Sequence, residues 1–181
     1  MKKLIAFLLA ALFVLALAAC GDNPPTPTGN NPTQPPTQSV PTGDTPAHSG
    51  IYFAPGGVRL ELGADPVPAL EALGDPLNTF ESQSCALKAK DINYRYPGFV
   101  LTVTYPEQGD DYITQINLTN DDHKTPGGIT IGSAFEEVVA VYGTDYREDN
   151  GHFYYTENLN TLHLAVTNGA VSQITYEYKF T

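Results

Sequence analysis

Few residues in this chain could do chemistry. There are two cysteines, Cys20 and Cys85, and four histidines, His48, His123, His152 and His163. A catalytic thiol needs a base within hydrogen-bond reach and a depressed pKa. Around Cys85, in ESQSCALKAK, nothing but Lys88 and Lys90 would lower the thiol pKa, so this stretch reads as a small buried or half-buried cysteine. His163 stands between Leu162 and Leu164, and strand alternation turns it away from both, which predicts a solvated histidine. Oxygen ligands bunch in GDD (109–111) and in NDDH, that is Asn120, Asp121, Asp122 and His123. Neither has the regular spacing or the closing Glu of a calcium loop, and both read as polar turns. No zinc spacing, G-x-S-x-G elbow, phosphate loop or dinucleotide fingerprint occurs. The sequence therefore predicts no enzyme, no cofactor and no metal.

Tyrosine is the abundant aromatic, eleven against no Trp. It offers a large apolar face with a polar tip and serves well at binding hot spots. Tyr105, Tyr176 and Tyr178 fall on the apolar side of their strands and read as core. Tyr94, Tyr96, Tyr154 and Tyr155, in INYRY and HFYY, are the candidate binding surface. Alternation puts Tyr154 and Tyr155 on opposite faces.

The elements that must position these residues come in two similar sets. PGGVRLELGADPVPALEALG (55–74) resembles PGGITIGSAFEEVVAVYG (126–143), and ITQINL (113–118) resembles VSQITY (171–176). In the second set Ser133 and Glu136 have capping-box spacing, Phe135, Val138, Val139 and Tyr142 form a helical apolar stripe, and Gly143 stands at the end. In the first, Asp65 is the N-cap, Pro66 opens the helix, Val67, Leu70 and Leu73 make the stripe, and Gly74 ends it. The period then changes to two. FVLTVTY (99–105) alternates, and YITQINL answers it across Gly109-Asp110. TLHLAVT and AVSQITYEYKF flank Asn168-Gly169, a strong type I′ hairpin signal. One further strand is expected around INYRY (92–96) and one around HFYY (152–155).

The order Gly, short amphipathic helix, Gly, aromatic strand, alternating strand, turn, V/I-x-Q-I strand resembles the tandem-repeat architecture of the β-lactamase inhibitor protein fold. It also resembles small envelope lipoproteins related to the outer-membrane assembly factor of that repeat type. The resemblance implies an α+β fold of two tandem repeats, about 55–120 and 126–180, each a short helix packed on an antiparallel β-meander. It also implies a role in binding other proteins. The inhibitor's paired disulfides have no counterpart here, so β-lactamase inhibition itself is not implied.

The N-terminus addresses the chain. Lys2 and Lys3 precede an apolar run from Leu4 to Leu17, too short to span a bilayer comfortably and laid out like a secretory signal. LAAC, Leu17 to Cys20, resembles the lipobox of bacterial lipoproteins. The resemblance implies cleavage after residue 19, a diacylglycerol thioether on Cys20, and anchoring on the extracytoplasmic face of the cell membrane. From Gly21 to Ser49 the chain has eight Pro and six Thr and no Lys or Arg, a tether that cannot bury enough apolar surface to order itself. It would reach roughly 90 Å as polyproline II and about 30 Å as a coil. Residues 50–181 form the globular part. Cleavage would remove Lys2 and Lys3, deepening the formal charge from −11 to −13, which opposes binding to nucleic acid. The expected function is a lipid-anchored, non-catalytic protein-binding module with an envelope protein as partner. Two alternatives stay open: a catalytic or accessory component of an envelope hydrolase, and a structural envelope lipoprotein.

Overall fold

The computed structural model describes residues 50–84 and 88–179. The leader, the tether, Cys20, His48 and Cys85 lie outside the described residues.

After a 3₁₀ turn at Pro55–Gly57 comes helix α1, Val67–Leu73. Four strands follow: β1 (Asn78–Ser84), β2 (Ala89–Tyr96), β3 (Phe99–Pro106) and β4 (Tyr112–Leu118). Helix α2 (Phe135–Tyr142) leads into β5 (Arg147–Asp149), β6 (His152–Glu157), β7 (Asn160–Thr167) and β8 (Ala170–Tyr178). The strands form one antiparallel sheet in the order β1-β2-β3-β4-β8-β7-β6-β5.

This corrects the expected fold class. The chain is not an α+β pair of helix-on-meander repeats. It is one continuous eight-stranded sheet with, among the described residues, two α-helices of seven and eight residues. The physical reason lies at the seam. Ile116 pairs with Tyr176 and Leu118 with Ile174, so β4 and β8 join edge to edge. All four side chains belong to a single core cluster. Helices this short cover too little surface to give each meander a core of its own.

The local signals act one by one. At α1 the N-cap is Pro66 and not the expected Asp65, whose Oδ1 accepts from the Val67 amide at 3.0 Å just ahead of the helix. At α2 the cap is shifted by one residue from the expected box. Ala134 is the N-cap and Glu137 reaches back to its amide at 3.2 Å, while Ser133 Oγ accepts from Thr130 N. Gly74 and Gly143 close the helices at φ 72° and 82° with ψ near −160°, a region other than the left-handed cap expected and one essentially reserved for glycine. Asn168 and Gly169 both have positive φ, as a type I′ hairpin requires. Leu70 and Leu73 pack on the core, but Val67 is exposed, so the α1 stripe is narrower than expected. No described helix is long and apolar enough to cross a membrane.

Core residues from β2, β3, β4, β6, β7 and β8 project to one face of the sheet, where α1 and α2 supply Ala69 and Val138. Tyr176 lies at the centre, 1 % exposed, and its hydroxyl has no hydrogen-bond partner among the described residues. Burial pushes this phenol well above its ordinary pKa. An unpaired buried hydroxyl costs about 1–3 kcal/mol. Tyr176→Phe is therefore expected to stabilise the protein by about 1 kcal/mol in urea unfolding; destabilisation by that amount would show that the hydroxyl is satisfied.

Candidate functional site

The sheet has a dry face and a wet one. Across β2, β3, β4, β8, β7 and β6 the dry side is read from Tyr96, Phe99, Leu118, Ile174, Leu164 and Phe153, all buried. Of the alternating residues, Asn93, Thr102, Asn117 and Tyr154 are half-buried, Thr104, Thr175 and His163 are buried, and Arg95 and Gln173 are exposed.

Side-chain hydrogen bonds hold this open face in shape. Thr104 donates to Asp91 at 2.6 Å and also bonds Thr114. Thr102 donates to Asn93 at 2.8 Å, and Thr175 to Asn117 at 3.0 Å across the β4–β8 seam. At one edge Phe80 is 67 % exposed, opposite Asn93.

The four candidate tyrosines are divided by this geometry. Tyr96 and Tyr155 are corrected from surface to core, at 5 % and 6 % exposure. Their hydroxyls donate to the carbonyls of the helix-ending glycines, Tyr96 to Gly74 at 3.2 Å and Tyr155 to Gly143 at 3.1 Å. Burial raises both phenol pKa values. Tyr94 also faces the core side, half-buried, with its hydroxyl 2.8 Å from that of Tyr105. Tyr154 alone of the four belongs to the open face.

Around Tyr154 the open face becomes aromatic and cationic. Arg147 of β5, directly opposite, lays its guanidinium 3.8 Å from the ring centroid. On the other side the ring stacks on His163 at 4.5 Å and 11°. His163 points away from the core as expected, yet it is not solvated: it is 9 % exposed. Its Nε2 lies 2.8 Å from His152 Nδ1, and its Nδ1 is 3.6 Å from Glu177 Oε1. Desolvation is the main cause that lowers the His163 pKa, with His152 and Arg147 adding to it and Glu177 opposing. A depression of about 360 Å³ adjoins the stack, lined by Arg147, Tyr154, Thr161, Glu177 and Lys179 among others.

This cluster escaped the sequence because it is diagonal. Tyr154 opposes His163 and Ala165 opposes His152, so the two imidazoles meet only once β6 and β7 are in register. The one available signal was the shared parity of His152 and Tyr154 on a strand.

The remaining candidates are spent locally. His123 Nε2 lies 2.8 Å from the Pro97 carbonyl, and its ring sits edge-on to Phe53 and Phe99. Asn120 Nδ2 donates to Asp122 at 2.6 Å. No three metal-ligating side chains converge among the described residues. A larger cavity of about 760 Å³ is lined by Asp65, Asp110, Asp111, Tyr112 and Tyr178, and its acidic rim opposes anionic ligands. A scan against protein-family models and searches of curated proteins and of solved structures found no match for this chain.

Proposed function

We propose that this chain is a lipid-anchored, extracytoplasmic, non-catalytic module that holds an envelope protein against the open face of its sheet. The observation that carries the reading is the Arg147–Tyr154–His163 stack on a face braced by side-chain hydrogen bonds. Arg and Tyr dominate binding hot spots, and a rigid aromatic loses little entropy on docking. The lipobox-like LAAC and the Pro/Thr-rich segment support an anchored domain that can reach a neighbour.

Crosslinking in intact cells tests this reading. The full chain should yield discrete protein adducts from the membrane fraction. Cys20→Ser should take up no radiolabelled fatty acid and should leave that fraction. Label still entering the Cys20→Ser chain would exclude the anchor; no adduct under any condition would exclude the binding role.

A further inference from the structure

We propose that Glu177, His163 and His152 form a proton-operated latch beneath the Arg147–Tyr154 stack, closed while the imidazole pair carries at most one extra proton and open when both rings are charged. Its effect on partner capture rests on the binding reading above; the latch itself does not.

One close ion-pair contact and one hydrogen bond assign the tautomers. His163 Nδ1 faces the Glu177 carboxylate at 3.6 Å, so that nitrogen carries the proton. His163 Nε2 is then an acceptor, and His152 Nδ1, 2.8 Å away, must donate to it. Both rings are thus protonated on Nδ1. A proton added at His152 Nε2 leaves both contacts intact. A second must go to His163 Nε2, where the His152 N–H already points. Two N–H groups cannot face each other across 2.8 Å, and two cations there repel.

The surroundings set when this happens. On β5, Arg147 opposes a charge on His163, and Asp149 stands opposite His152. On β6 the neighbours are His152 and Tyr154, and on β8 Glu177 favours the charged form. The same-face neighbours on β7, Thr161 and Ala165, carry no charge. With desolvation added, His163 stays neutral below the ordinary imidazole value. Its contribution to stability is therefore complete above about pH 6.5 and is lost as pH falls through the lower folded value. Because Tyr154 stacks on the His163 ring, opening the latch removes the support of the stack.

Imidazole ¹⁵N NMR on the full chain in mild detergent, titrated from about pH 7.5 to about 4.5, tests the latch. Both rings should show the Nδ1–H tautomer at the start. His163 should charge last, below the ordinary range, and the Tyr154 ring signals should shift with that second step alone. Glu177→Gln should move the His163 midpoint further down. His152→Gln should raise it and abolish the Tyr154 transition. Two independent midpoints near 6.5, an Nε2–H tautomer on His163, or an unmoved Tyr154 would each overturn the proposal. Partner capture should fall with the second step. The titration decides the latch and capture at neutral pH decides the binding reading, so the two fail separately.

Discussion

Ile116→Ala should lower the unfolding free energy by about 2–5 kcal/mol, the range for emptying a fully buried aliphatic site. Ile116 is 0 % exposed and faces Tyr176 across the β4–β8 seam, where pairing extends over the four partners Gln115 to Leu118. A cavity there loosens both halves of the sheet at once. Urea unfolding of the variant should keep a single transition, shifted to lower denaturant with an unchanged slope. A loss below about 1 kcal/mol, or a transition split in two, would show that the halves do not share one core.

Tyr154→Ala should weaken partner capture by roughly thirtyfold or more, the equivalent of about 2 kcal/mol at a hot spot. The ring is the centre of a three-part stack, so its removal takes the platform from Arg147 and uncovers His163 together. Tyr154 is half-buried on the open face and outside the core cluster, so folding should change far less than binding. Tyr96→Ala and Tyr155→Ala should do the reverse. Each loses a core ring packed against aromatic neighbours and a hydrogen bond to a helix-ending carbonyl, so capture falls only as the protein unfolds. Quantitative capture beside thermal melting separates the two classes. Unchanged capture by Tyr154→Ala would place the binding face elsewhere.

What could be read beforehand was local. Asp65, the glycines at 74 and 143 and the Asn168-Gly169 turn each act within a few residues, at the start of a helix, at two helix ends and at a hairpin. The fold class depended on a contact that is not local. The Asn117–Thr175 bond crosses a seam between residues 58 apart, and no short pattern announces that two meanders will share an edge. Tyr96 and Tyr155 were misplaced because INYRY and HFYY show little contrast between polar and apolar positions. A tyrosine can bury its ring while its hydroxyl satisfies a helix-ending carbonyl, and both do so. His163 shows the complementary limit. Alternation gave its direction, but its burial comes from Tyr154, His152 and Glu177 on neighbouring strands, whose register a single strand does not reveal.

Site-specific photo-crosslinking in intact cells tests whether the open face of the sheet holds the partner. A photoreactive side chain at Phe80, Asn93, Thr102 or Tyr154 samples the open face, and one at Val67 or Glu136 samples exposed positions on α1 and α2. Discrete adducts with one protein are expected from the open-face positions and none from the helix positions. Adducts from Val67 and Glu136 with none from the sheet face would contradict this.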